Sequence, residues 1–370
     1  MRIVLVTDAW HPQVNGVVHT WTYMQKTLAG WGHEMIVVSP QGSRTMPAPS
    51  EPDVRLCVEP GRHLRRVLDG RAPDALHIAT EGPLGWAARR MALRKGWRFT
   101  TSFHTMFPDY LHARMRIPPG LTWRVMRWFH RPSQKVLVPT PTVRDVLASR
   151  GLRNLYVWTR GVDAERFDAA DRGALPLPRP IFLSVGRLAR EKNLDGFLSL
   201  DLPGSKVVVG GGPDEDRLRR KYPNAVFLGR KRHDELAPYY AAADVFVFPS
   251  VTDTFGLVML EAMACGTPVA AFRSPAPLAV VREGETGILR DDLAQACREA
   301  LALDRGAIRQ YALAHGWDTT ARQLVGMLVA ADPERQGGLP PTRFARPPGD
   351  DASGPAEPDP PHPGSGARSQ

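Results

Sequence analysis

The sequence predicts an α/β protein of two Rossmann-like, parallel-sheet domains followed by an unstructured tail, and three observations carry that prediction. Short β-branched runs alternate with longer helical stretches up to residue 330. A Pro-rich run, Leu175-Pro176-Leu177-Pro178-Arg179-Pro180, interrupts the alternation, which restarts at Ile181. The length, 370 residues, is more than twice the ~150 of a typical domain.

In the first domain, residues 1–167, strands are expected at Ile3–Val6, Glu34–Val38, Ala75–Ile78, Phe99–Ser102, Lys135–Val138 and Leu155–Val157. A helix fits Val17 to Trp31, just after the turn residues Asn15-Gly16. Residues 168–180 read as a linker. The second domain, residues 181–315, repeats the pattern with strands at Ile181–Val185, Ser205–Val209, Ala225–Leu228, Val245–Phe248 and Val269–Ala271. The helical pattern from Trp317 to Val329, within residues 316–330, is expected to pack back toward the first domain. Residues 331–370 hold three Pro-Pro pairs and little apolar content beyond Leu339 and Phe344. So little burial cannot offset chain entropy, and disorder is expected there.

Composition narrows the class. Hydrophobic residues make up 43%, which suits a packed fold. Lys and Arg number 48 against 38 Asp and Glu, a net charge of +10. That balance suits nucleic acid, an anionic membrane surface or a phosphorylated substrate. The three cysteines, Cys57, Cys265 and Cys297, have no metal-ligand spacing and argue against a disulfide framework. No apolar run approaches the length of a transmembrane helix. The opening run Met1-Arg2-Ile3-Val4-Leu5-Val6 is too short and too β-branched for a signal peptide, so a cytoplasmic location is expected.

The most informative text runs from Phe248 to Val269. A strand ends at Phe248, a polar turn follows, and a helix fits from near Gly256 to Gly266. Asp253 lies in the turn and Glu261, eight residues on, in the helix. Free N–H groups around Thr254, Phe255, Gly256 and Leu257 suit a phosphate oxygen, and carboxylates accept hydrogen bonds from hydroxyls. A nucleotide sugar has both features. The alternative is a solvated turn aspartate and a helix-surface glutamate.

This stretch resembles the E-x7-E signature of retaining glycosyltransferases of family 4, with Asp253 where the family usually has Glu. The resemblance implies the glycosyltransferase-B architecture, two Rossmann-like domains facing across a cleft, and covers roughly residues 1–330. It implies that Glu261 holds the donor ribose and that Asp253 contacts the donor sugar. Gly186-Arg187-Leu188-Ala189-Arg190-Glu191-Lys192-Asn193 resembles the family's diphosphate-binding segment, which gives that role to Arg187 and Lys192. Fixed cations there stabilise charge that grows on the leaving diphosphate. Gly16 resembles the family's glycine near donor phosphate and acceptor. His104, at the end of the strand Phe99–Ser102, matches the active-site histidine that contacts the donor sugar, with positioning and charge stabilisation as its role. Gly211 and Gly212 resemble the donor-side Gly-rich turn, and Arg230 follows the strand end expected at the nucleobase. The segment Arg160-Gly161-Val162-Asp163 is expected to be mainly architectural.

Between His112 and Arg131 lie Arg114, Arg116, Arg124, Arg127 and Arg131 with no Asp or Glu, interleaved with Trp123, Met126, Trp128 and Phe129. A basic aromatic helix suits an anionic membrane surface, and a core-packed helix with a solvated basic face is the alternative. No nucleic-acid motif accompanies it.

The expected protein is a retaining hexosyltransferase using a GDP- or UDP-linked sugar. A membrane lipid is its expected acceptor, reached through segment 112–131 on the inner face of the plasma membrane. No metal or other cofactor is expected to be obligatory, because Arg187 and Lys192 can neutralise the diphosphate. A non-catalytic nucleotide-sugar sensor and a nucleotide-sugar epimerase on the same fold are the alternatives.

Overall fold

The computed structural model describes residues 1–13, 15–48, 51–106, 108, 116–168 and 173–334, all within the compact unit Met1–Pro340. The expected disorder at 335–370 and the residues 112–115 of the basic segment lie outside the described residues.

The first half runs β1 (Arg2–Val6), α1 (Gly16–Gly30), β2 (Glu34–Val38), β3 (Thr45–Ala48), β4 (Glu51–Cys57), α2 (Pro60–Leu68), β5 (Ala75–Ile78), α3 (Pro83–Lys95), β6 (Thr100–Ser102), α4 (Pro119–His130), β7 (Lys135–Val138), α5 (Pro141–Ser149) and β8 (Leu155–Val157). Its six-stranded sheet has the order β2-β1-β5-β6-β7-β8, and every pairing is parallel. The second half runs β9 (Ile181–Val185), α6 (Leu194–Leu198), β10 (Ser205–Val209), α7 (Glu215–Lys221), β11 (Val226–Phe227), α8 (Ala237–Ala242), β12 (Val245–Phe248), α9 (Leu257–Ala264), β13 (Val269–Ala271), α10 (Pro275–Val280), β14 (Gly287–Leu289), α11 (Leu293–Ala300), α12 (Arg305–Leu313) and α13 (Trp317–Met327). Its sheet is again six-stranded and parallel, in the order β11-β10-β9-β12-β13-β14.

Parallel strands are buried on both faces, which is why they read as continuous apolar runs. Val4, Val6, Leu76 and Ile78 face α2 and α3 on one side of the first sheet. Ile3 and Leu5 face α1 on the other, where Trp21, Met24 and Leu28 pack with Trp317, Ala321 and Leu324 of α13. The last helix thus rests on α1. Asn15 starts α1 because its side-chain oxygen accepts the free N–H groups of Val17 and Val18, each at 3.0 Å.

Two features differ from the sequence expectation. Residues 45–57 form an antiparallel hairpin whose strands contain Pro47 and Pro52, residues that make such a stretch read as loop. Strand β14 is only three residues long, too short to show a period.

Candidate active site

Loops at the carboxyl ends of parallel strands face the ligand crevice of such sheets, and the polar groups collect there. The loop after β9 and the loop after β12 are fastened to each other. Lys192 Nζ donates to Asp253 Oδ1 at 2.6 Å. The Asn193 amide donates to the Pro249 carbonyl at 3.1 Å, and the Ser250 and Thr252 hydroxyls both reach the Glu191 carbonyl at 3.3 Å. Asp253 Oδ2 is buried with no hydrogen-bond partner. A buried carboxylate oxygen costs free energy unless something donates to it, so this one calls for a donor from outside the described residues. Arg187 is half-buried in the same loop.

The glycines of the two motifs are needed for different reasons. Gly256 has φ +80°, and a methyl there would lie 2.8 Å from Met259 Cε and 2.9 Å from the Phe248 ring. A methyl on Gly212 would lie 2.3 Å from the Leu188 carbonyl oxygen. Turn geometry and backbone packing therefore demand both, whatever approaches them. Gly211 has room, with Arg230 Cβ 3.6 Å from its virtual methyl and the Arg230 side chain exposed. Gly16 is equally open, its nearest neighbour being Leu257 at 3.6 Å.

Start of α9 and first half meet directly. Leu257 packs into the cores of both halves, and Phe255 beside it is buried. The Thr254 hydroxyl donates to the His104 carbonyl at 2.8 Å. One turn further along α9, Glu261 is 7% exposed. The Tyr240 hydroxyl donates to its Oε2 at 2.9 Å, and His233 Nε2 lies 3.0 Å from its Oε1. Burial and the Glu261 charge hold the Tyr240 phenol far above its ordinary range, so it stays a donor. The His233 ring lies 4.3 Å from that of His19 on α1, across the crevice. The space left among His19, Tyr23, His233, Leu257 and Glu261 is about 10 Å³, one water at most.

His104 is hemmed in by donors. Trp21 Nε1 donates toward its Nε2 at 3.2 Å, and Arg160 Nη2 lies 3.2 Å from its Nδ1. A neutral imidazole offers one acceptor, so only one contact is a true hydrogen bond in a given tautomer. Burial, then Arg160 and His77, hold its pKa well below the ordinary histidine value. A ring kept neutral cannot supply positive charge. The cation at this spot is Arg160, buried and anchored by the Trp158 carbonyl at 2.7 Å, with its guanidinium 4.3 Å over the Trp158 ring. His104 was expected to position the donor and stabilise charge and the Arg160 segment to be mainly architectural; the structure brings the two side chains within 3.2 Å of each other.

Arg160, Tyr240, His233 and His19 thus gather around the expected site residues, and the sequence expectation gave none of them a site role. Tyr240, His233 and His19 are lone residues outside any spaced motif. The one signal was the position of Arg160, three residues past the end of β8.

These buried imidazoles set an acid limit on stability. Burial depresses His19 to about 4 and His77 to about 3, against about 6.5 in an unfolded chain. The unfolded state binds more protons in that window. The contribution is therefore complete above pH 6.5 and is lost as pH falls toward the folded values. Asp8 runs the other way. Burial raises it to about 6, so its contribution is present below its ordinary value near 4 and is lost as pH rises through 6. Between pH 7 and pH 5 each of the two histidines should lose about 2 kcal/mol and Asp8 regain about 1 kcal/mol. The urea midpoint should fall between those pH values. An equal or higher midpoint at pH 5 would show that these histidines are not buried as described.

Two parallel sheets with a carboxylate pair, a lysine and a histidine at their facing strand ends define a class, the glycosyltransferase-B enzymes. The sequence comparisons agree: residues 14–166 match the family described as "Glycosyltransferase Family 4", and residues 179–303 that described as "Glycosyl transferases group 1". The chain belongs to glycosyltransferase family 4, group 1, and is a nucleotide-sugar-dependent hexosyltransferase. It is 31% identical over 315 residues to the GDP-mannose-dependent alpha-mannosyltransferase of Mycobacterium tuberculosis, covering 78% of this chain and 83% of that one. It is 28% identical over 349 residues to the alpha-monoglucosyldiacylglycerol synthase of Streptococcus pneumoniae, covering 81% and 78%. The fold matches a sucrose-phosphate synthase from Thermosynechococcus elongatus with TM-score 0.74 at 22% identity, over 88% of this chain and 97% of that one. A glycosyltransferase therefore replaces the sensor and epimerase alternatives.

Proposed function

We propose that the protein transfers a hexose, with retention, from a nucleoside diphosphate sugar to a hydroxyl of a membrane lipid, GDP-mannose being the first donor to test. In this reading Glu261 accepts the ribose hydroxyls, using the lone pairs that Tyr240 and His233 leave free. Lys192 and Arg187 face the diphosphate. The bond from the anomeric carbon to the diphosphate oxygen breaks, and the acceptor oxygen attacks the same face. The departing phosphate oxygen takes the acceptor's proton, so no separate base is needed. Two cations at the leaving group lower this barrier because charge grows there.

The observation that carries the reading is the unpartnered Asp253 Oδ2 beside Lys192. It is an acceptor built for a hydroxyl next to a cation built for a phosphate. The choice of GDP-mannose is supported by the named relative above, and that of a lipid acceptor by the diacylglycerol-linked one. Among the described residues no helix is long and apolar enough to cross a membrane, so a lipid acceptor implies peripheral attachment, on the inner face of the plasma membrane in this reading. Calorimetry with GDP-mannose, UDP-glucose, UDP-galactose, GDP and UDP tests the donor. GDP-mannose and GDP should bind at least about tenfold more tightly than the uridine series, a difference of about 1.4 kcal/mol. Preference for the uridine series would move the reading to a UDP-hexose. Binding of none by folded protein would remove it.

A further inference from the structure

Helices α3 and α4 lie side by side on one face of the first sheet and carry more apolar surface than the core uses. The inner face of α4 is accounted for, with Trp123, Met126 and Phe129 buried. Its outer face bears Leu121, Val125 and Trp128, exposed by 59%, 40% and 55%. These positions are spaced by four and three residues and form one stripe along the helix. The stripe runs into a groove shared with α3. The groove has a volume of about 350 Å³ and is lined by Trp86, Arg89, Arg90, Leu93, Arg94 and Trp128.

The groove is held in shape. The two indoles stack with centroids 4.9 Å apart, and the Arg89 guanidinium sits 4.0 Å over the Trp128 ring. Arg89 also donates to the Trp128 and Phe129 carbonyls at 2.9 and 3.0 Å, fixing the last turn of α4. Neither α3 nor α4 contains an Asp or Glu. Arg90, Arg94 and Arg124 are exposed on the two helices.

We infer that this two-helix groove is where the protein seats on a bilayer of anionic phospholipid, with Trp128, Leu93 and Leu121 entering the headgroup boundary and the arginines meeting lipid phosphates. Charge complementarity selects the occupant: a wholly cationic rim around an apolar floor matches an anionic interface. Indole rings with a polar N–H suit that depth. Aliphatic side chains in the stripe favour lipid over nucleic acid, since bases stack on π-faces and gain nothing comparable from leucine. Five of the six lining residues lie on α3, outside the segment 112–131. The inference deepens the lipid-acceptor reading and rests on it for its purpose, but its test uses no acceptor.

The full chain is floated with vesicles of phosphatidylcholine alone and of phosphatidylcholine with 30% phosphatidylglycerol as the stated probes. At about 0.1 M salt the wild type should partition at least about tenfold more strongly to the anionic vesicles and lose that preference at about 0.5 M. Arg90→Glu with Arg94→Glu should remove the preference. Trp128→Ala with Leu93→Ala should weaken binding by roughly tenfold or more while keeping its salt dependence. Nucleotide-sugar binding by calorimetry should be unchanged in both variants, which separates failure of the groove from failure of the donor reading. Equal partitioning of wild type and the charge-reversed variant would overturn the inference. So would wild-type indifference to vesicle charge, or preferential capture of a single-stranded oligonucleotide over vesicles.

Discussion

Glu261→Ala should reduce kcat/KM by about a thousandfold or more, the scale seen when one fixed polar contact to a transition state is removed. The argument starts from burial. Glu261 is held between Tyr240 and His233, so its carboxylate is fixed before any ligand arrives. Fixed acceptors need no reorganisation during the reaction, which is the source of their effect. Alanine also strands the buried Tyr240 hydroxyl, at a stability cost of about 1–3 kcal/mol. Glu261→Gln separates the two effects. It keeps one oxygen and the side-chain volume, and the Tyr240 hydroxyl can rotate to accept from the amide. A glutamine variant with near-normal melting temperature and activity within threefold of wild type would rule out the ribose role.

Lys192→Ala should lower kcat by about 10²–10³-fold and change the donor KM far less, because the lysine's interaction strengthens as charge moves to the leaving phosphate. Its ammonium already sits 2.6 Å from Asp253 Oδ1. Removing it leaves Asp253 with one oxygen unpartnered by design and the other newly so. The double variant with Asp253→Asn should therefore be less impaired than the product of the single losses, since both act through one pair. Steady-state kinetics on all four proteins gives the cycle. A raised KM with unchanged kcat would mean that Lys192 holds the donor equally in ground and transition states. Additive losses would mean that the pair does not act as a unit.

Much of this architecture was legible in the residues. Strands such as Ile181–Val185 and Val245–Phe248 stand out because they are buried on both faces and so apolar throughout. The pairing of Asp253 with Lys192 joins two loops 61 residues apart, yet each loop carries a recognisable motif. What was hidden has a common physical cause. Tyr240 reaches Glu261 from α8, and Arg160 reaches His104 across 56 positions, by tertiary packing alone. Neither has a period or spacing for a pattern to reveal. The steric need for Gly212 and Gly256 was hidden for the same reason. The constraint on each comes from Leu188 or Phe248, and no spacing rule names those neighbours.

The near-absence of space beside Glu261 bears on any affinity measured for this protein. Thr254 bonded to His104 and the tilted His19 and His233 rings, 4.3 Å apart, tie the two halves together beside the candidate donor site. If these ties must part before a nucleotide sugar enters, only the separated form is competent to bind. The observed dissociation constant is then the intrinsic one divided by the fraction of molecules standing open. Affinity for the donor is thus set in two places, at the atoms that touch it and at the ties that must part first. Loosening a tie strengthens binding without adding a contact, and once the cleft recloses the same ties exclude bulk water from the bond being broken.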